Sequence, residues 1–298
     1  MGILGNSILL CTIVLMKRST IAIIIFSVLV IVAGVFFFRT RAHAPITPGT
    51  PIVEEPVIPE IPVVPVETIT YSAVVLLTDT PVKELIGLVG KDNLSAVFSL
   101  NRIDERHLRK DGIVIIPSRF DDPTALTAFP QSIPDLTQTP KMMLVSQRVQ
   151  EFGAYEYGVL IRSGGLSSGK KSTPTANKLY HANWKGKEVI STVDDEWILK
   201  WNVNIENLDG IGLHEYELPG YPASHSCVRL SASDAEWFYN WIDQWTLSED
   251  GQSVVVPGTP VIIFGDYAFE QTAPWKKLPE DKDALKIPLK EIPIDSSI

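Results

Sequence analysis

From residue 45 to residue 67 the chain reads PITPGTPIVEEPVIPEIPVVPVE. Proline recurs every few residues, with Val, Ile and Glu between. Each proline removes a backbone donor and fixes φ, so neither a helix nor a central strand can run through this stretch. It reads as a semi-rigid, polyproline-II-like spacer. The chain is therefore divided. A short N-terminal segment precedes the spacer, and whatever globular fold the 298 residues form must lie after it.

The segment before the spacer contains TIAIIIFSVLVIVAGVFFF at residues 20–38, with no charged residue. That length spans a hydrocarbon core. Lys17 and Arg18 precede it, and Arg39 and Arg41 follow it. A retained anchor is the preferred reading, because the apolar run is long for a cleaved signal. Ala42-His43-Ala44 keeps the cleaved alternative open. Residues 1–15 lack a basic start, and Met16-Lys17-Arg18 resembles an ordinary signal opening, so translation from Met16 is an expectation. Residues 1–44 are thus assigned to membrane insertion and export, and 45–68 to the linker.

A formal net charge of −9 argues against nucleic acid as a partner, since phosphate binding wants a basic face. The two cysteines are Cys11, in the apolar N-terminus, and Cys227. No disulfide framework follows from them, and an unpaired thiol in an exported region is worth attention. No Cys/His cluster has metal-ligand spacing, and no phosphate-cradling or dinucleotide motif occurs, so no metal or other cofactor is expected.

Within residues 69–118, YSAVVLL reads as a strand, PVKELIGLVG and LSAVFSLN as short helices, and GIVIIP as a closing strand. This βααβ order resembles a LysM module, although Thr78-Asp79-Thr80-Pro81 replaces its usual opening turn. The resemblance implies contact with N-acetylglucosamine-containing glycan strands. A small α+β adaptor without ligand is the alternative. Residues 119–140 are rich in Pro and Thr and read as a connector. From 141 to 267 the pattern is β-rich, with short runs such as MMLV, YGVLIRSGG, EVISTV and TPVIIFGDY between turn residues. One helix is expected in SASDAEWFYNWIDQW, where Ser233 and Glu236 have capping-box spacing and Trp237, Trp241 and Trp245 share a face. The stretch 268–298 is polar and Pro-interrupted, and reads as a loosely docked extension. The overall expectation is a mainly β protein, α+β when the small module is counted.

The chemistry concentrates in GLHEYELPGYPASHSCVRLS, residues 212–231. A nucleophilic Cys needs a base, a group to orient that base, and donors for the oxyanion. Cys227 is the candidate nucleophile. His225 lies two residues away and meets it if the segment is extended. His214 lies further upstream, beyond a GYP turn, and meets it if the chain returns. Both stay open on the residues alone. His181, in LYHANW, reads as structural.

This stretch resembles the signature of the YkuD-type L,D-transpeptidases, an upstream His, then Ser/Thr-His-Gly-Cys, an apolar residue and Arg or Asn. GGLSSGKKSTPTANKL resembles the family's Thr-Pro run through Thr173 and Pro174 or Thr175. The resemblance implies a curved β-sandwich with a helix beside it, acting on peptidoglycan stem peptides outside the cytoplasmic membrane, in the periplasm or cell wall. It implies that Cys227 attacks the carbonyl of the third stem residue and expels a terminal D-amino acid. An amine of a second stem or of a protein then resolves the thioester. By position, His214 becomes the base, the Glu215 carbonyl orients it, and the Ser226 and Cys227 N–H groups form the oxyanion hole. His225 supports the site. Arg229 binds a carboxylate or braces the loop, a use that suits a guanidinium fork. Ser224, Thr173 and Pro174 fall on the substrate side.

Three glycines of the family pattern are replaced, by Ser226, Glu215 and Ala176. Glycine at 226 would allow a positive φ, so Ser226 raises the question of strain. An L,D-carboxypeptidase using water, or a peptidoglycan-binding protein without activity, are the other readings.

Overall fold

The computed structural model describes residues 68–191 and 197–294. The apolar run 20–38, the alternative start at Met16 and the Pro-rich linker lie outside the described residues. Among the described residues no helix is long and apolar enough to cross a membrane. The chain divides into units of residues 1–65 and 66–298, and every described element belongs to the second.

Residues 71–117 form strand β1 (Tyr71–Val75), helix α1 (Pro81–Val89), helix α2 (Leu94–Asn101) and strand β2 (Ile113–Pro117). The two strands pair antiparallel. Pro81 opens α1, where its fixed φ suits a helix and its missing N–H costs nothing. The Glu84 carboxylate accepts from the N–H groups of Leu77 and Thr78 and so closes the turn between β1 and α1. Asn101, at the end of α2, donates to the Ile115 carbonyl and accepts from the Ile115 N–H, 2.8 Å each, which fixes the helix against β2. Leu76, Leu85, Val97 and Val114 make the small core beneath.

The rest is built on one sheet of nine strands. These are β3 (Met142–Ser146), β4 (Glu151–Glu156), β5 (Val159–Ser167), β6 (Lys178–His181), β7 (Lys185–Ile190), β8 (Ile198–Glu206), β9 (Ile211–Glu215), β10 (Val228–Leu230) and β13 (Pro260–Phe264). Their order is β6-β13-β3-β4-β5-β10-β9-β8-β7. Neighbours are antiparallel except for β13 with β3 and β10 with β9. Tyr157 and Gly158, at φ 48° and 78°, join β4 to β5 in a tight two-residue turn whose positive φ matches the twist of a hairpin. A small separate hairpin holds β11 (Thr246–Leu247) and β12 (Val254–Val256).

The resemblance implied a mainly β domain built as a curved sandwich, and the mainly β character holds. In place of a sandwich the structure has one curled sheet, because hydrogen bonding runs unbroken from β6 to β7. Its ends approach one another. Asn183 N–H donates to the Asn204 carbonyl of β8 at 2.8 Å, just past the end of β6. Both faces of the central strands are buried. Met143, Val145, Val261 and Ile263 point to one core, with Phe152, Leu166, Leu213, Val228 and Phe238. Met142, Leu144, Ile262 and Phe264 point to the other. This explains why MMLV and VIIF are continuous apolar runs rather than alternating ones.

The second core corrects the reading of the flanks. Phe129, Ile133 and Leu136 of the stretch before β3 enter it, as do Leu100 and Ile115 of the small module. Trp275, Leu278, Leu285 and Ile287 enter it from the C-terminal stretch, where Trp275 is 1% exposed. The stretch after 268 is therefore packed, not loosely docked. Its prolines interrupt helices but leave apolar side chains free to cover the sheet.

The helix following β10 is α3 (Ala232–Trp241). Its N-cap is Ser231, whose hydroxyl accepts from Asp234 N–H, so the cap falls two residues before the expected Ser233. The helix stops at Ile242, which is extended. Trp237 and Trp241 stack with centroids 5.2 Å apart, while Trp245 lies past the helix end and off its face.

Candidate active site

Register places the reactive residues. In the parallel pair β9–β10, Arg229 is opposite His214 and Val228 is opposite Leu213. Paired residues share a face, and so do residues two apart in a strand. His214, Arg229 and Cys227, which immediately precedes β10, are thereby turned toward one side. They line a narrow cleft with Trp197, Tyr216 and His225. A Cβ at Gly212 would lie 2.7 Å from Asn202 Oδ1 on β8.

His214 is buried, and its Nδ1 lies 2.9 Å from the Glu215 carbonyl oxygen. A carbonyl only accepts, so Nδ1 carries the proton and Nε2 keeps its lone pair. Burial pushes the imidazole down to about 4, the carbonyl partly opposing and the Arg229 charge adding to the fall. Burial pushes the Cys227 thiol up, against a Gly212 backbone hydrogen bond and the Arg229 charge. Thiol and imidazole are therefore both uncharged at neutral pH. Cys227 Sγ donates to the Gly210 carbonyl at 3.7 Å.

The loop before Cys227 is held from the side by residues 169–175. Lys170 N–H and the Thr173 hydroxyl donate to the Ser224 carbonyl, at 2.9 and 3.1 Å. The Thr175 hydroxyl donates to the Ser226 carbonyl at 2.8 Å. The Ser224 hydroxyl donates to the Cys227 carbonyl, closing the loop on itself. Gly169 must be glycine, since a Cβ there would lie 2.3 Å from the Thr173 carbonyl. Thr173 and Ser224 thus spend their hydroxyls on the loop backbone, while Pro174 is exposed between the two threonines.

Ser226 has φ 81°. The chain takes the left-handed turn that a glycine would allow, with a serine in it. This conformation costs an L-residue on the order of 1–2 kcal/mol. Its hydroxyl reaches the Thr173 carbonyl at 3.4 Å. Among the described residues neither Ser226 N–H nor Cys227 N–H donates to a protein acceptor, so both are available to a ligand oxygen.

His225 lines the same cleft, but its ring is engaged from the side. Lys170 Nζ is 2.9 Å from its Nε2. An ammonium only donates, so Nε2 accepts and the proton sits on Nδ1. Trp197 flanks the ring at 5.4 Å. Arg229 lies over the Tyr216 ring, 4.5 Å from its centroid, without a carboxylate partner in the described structure. His181 lies on β6, opposite Pro260, away from the cleft. Among the described residues no group of His, Cys, Asp and Glu could hold a metal ion. Lys170 and Tyr216 were not singled out by the sequence, and Thr175 was named only as an alternative position of the Thr-Pro run.

The curled sheet thus brings a buried His near the end of β9 and a Cys just before β10 to one cleft. Residues 141–263 match the model of the YkuD family, the L,D-transpeptidase catalytic domain, and the chain carries that domain there. Solved structures are similar over part of their length. One is an L,D-transpeptidase from Stackebrandtia nassauensis, 20% identical, with 44% of this chain and 58% of that chain covered and a TM-score of 0.36. Another is L,D-transpeptidase 1 from Mycobacterium tuberculosis, 21% identical, covering 42% and 62% with a TM-score of 0.32. A third is the LD transpeptidase LdtMt1 in complex with imipenem, 16% identical, covering 66% and 82% with a TM-score of 0.34. The chain spans 58% of the first of these. A search of curated proteins returns no match.

Proposed function

We propose that this protein is a peptidoglycan L,D-transpeptidase with Cys227 as nucleophile and His214 as base. The observation that carries the reading is the His214 Nδ1 hydrogen bond to the Glu215 carbonyl, which leaves Nε2 as the free basic nitrogen on the face that Cys227 shares. His225 is the poorer base, since its Nε2 is taken by Lys170.

In the proposed cycle His214 Nε2 takes the thiol proton as Cys227 sulfur bonds to the carbonyl carbon of the third stem residue. The oxyanion is met by the N–H groups of Ser226 and Cys227. The C–N bond to the terminal D-amino acid breaks, and His214 returns its proton to the departing amine. An acceptor amine then attacks the thioester and gives its proton to His214. The C–S bond breaks, and the proton goes back to sulfur. Because thiol and imidazole start neutral, proton transfer belongs to the attack itself. Arg229, fixed over Tyr216, offers its guanidinium edge to a stem carboxylate. Water in place of the amine would give carboxypeptidase chemistry at the same site.

We further place the catalytic face outside the cytoplasmic membrane, held by the apolar run 20–38 and spaced by the linker. This rests on sequence, as does glycan contact through the LysM-like module. The first test is intact-mass labelling with a carbapenem. The reading expects one covalent adduct on the wild type and none on Cys227→Ala. No adduct on the wild type would favour a binding protein without activity.

A further inference from the structure

We infer that the turn at residues 102–104 of the small module is a positioning element for the active-site loop, with Asp104 as its working side chain; this rests on the transpeptidase reading above. The loop in question runs from Tyr216 to Pro222, between the strand carrying His214 and the segment carrying Cys227. Its middle is held by the module. Asp104 N–H donates to the Leu218 carbonyl at 2.9 Å, and the Asp104 carboxylate accepts from the Leu218 N–H at 3.0 Å. Gly220 N–H donates to the Arg102 carbonyl at 2.9 Å, and Ile103 bridges to Pro219 in antiparallel fashion. Gly220 has φ 86°, and a Cβ there would lie 3.0 Å from Ile103.

The turn is itself anchored to the sheet. Arg102 is 1% exposed, and its guanidinium donates to the Val149 carbonyl at 2.9 Å and to Glu151 at 2.5 Å. The connection then runs from β4 through Arg102 and Asp104 to the loop. At the near end of that loop Tyr216 supports Arg229 and lies 6.1 Å from the His214 ring. At its far end the Tyr221 carbonyl accepts from Ser167, beside Ser224. The module therefore holds the loop that carries Tyr216, the support of Arg229, and leads into the Cys227 segment. It acts on catalysis through geometry, separately from any ligand of its own.

Asp104→Ala removes the acceptor for Leu218 N–H, and Asp104→Asn keeps one. The experiment measures carbapenem acylation and iodoacetamide alkylation of Cys227, each per folded molecule. Asp104→Ala should slow acylation about tenfold, with a raised half-saturation concentration, since ångström-scale misplacement is costly in a reacting site. Asp104→Asn should recover most of that loss. Alkylation of Cys227 should change in the same variant. Unchanged acylation and alkylation in folded Asp104→Ala would overturn the inference. If the wild type takes no carbapenem but alkylation still responds to Asp104→Ala, the transpeptidase reading fails and this inference stands. Should Asp104→Ala not fold, hydrogen exchange of the wild type decides. Slow exchange at Leu218 and Gly220 N–H is expected, and exchange at open-loop rates would overturn the clamp.

Discussion

His214 makes the fold acid-sensitive by a calculable amount. Its folded value is pushed from 6.5 down to about 4 because the ring is buried and only its neutral form is accommodated. Above 6.5 both folded and unfolded chains hold the ring neutral, and the contribution to stability is fully present. As pH falls from 6.5 toward 4 the unfolded chain binds a proton that the folded chain refuses, so stability is lost across that window. The gap corresponds to about 3 kcal/mol. Urea unfolding of the wild type and of His214→Gln at about pH 7 and about pH 4 isolates the term, because all other titrating groups are shared. The variant should lose about 3 kcal/mol less than the wild type over that range. Parallel losses in the two proteins would refute the reasoning, as would a ring titrating near 6.5. The same shift sets kinetics, since the acid limb of carbapenem acylation should fall near 4 rather than near neutrality.

Other consequences are equally direct. Replacing Ser226 by Gly relieves a positive φ of 81° but adds backbone entropy to the unfolded chain. Thermal unfolding should show a small net stabilisation, about 0.5 kcal/mol, with the acylation rate at least maintained. Arg102→Met leaves the Glu151 carboxylate buried without its cation, and denaturant unfolding should show a loss of about 3–5 kcal/mol. Trp275→Ala opens the core under the C-terminal stretch and should cost about 3–5 kcal/mol in the same assay.

Much of the site was legible because its chemistry is local in sequence. Ser224, His225, Ser226, Cys227 and Arg229 fall in one short run, and the special status of 226 showed as a departure from a glycine pattern. The choice between His214 and His225 was not legible from spacing. The proposal of His214 rests on a parallel strand pair and on Lys170, which lies 55 residues from its partner His225. The role of Thr175, named only as an alternative in the Thr-Pro run, was hidden for the same reason: its hydroxyl serves a backbone carbonyl 51 residues away. In the fold, MMLV and VIIF announced buried strands, whereas LKWNVNIE in β8, which alternates apolar and polar residues with a clean period of two, was not picked out. The cap at Ser231 was passed over because Ser233 stands at capping-box distance from Glu236. The C-terminal stretch misled because its apolar residues are spaced to cover a sheet face, a pattern with neither helical nor strand period.

Mass analysis of muropeptides incubated with the purified protein tests the account most directly. Cross-linked dimers joined through the third stem residue, with loss of a terminal D-amino acid, are expected from the wild type and should disappear with Cys227→Ala. Trimmed stems without dimers would make water the acceptor. Muropeptides left unchanged by the wild type would contradict the assignment of Cys227 and His214 to catalysis.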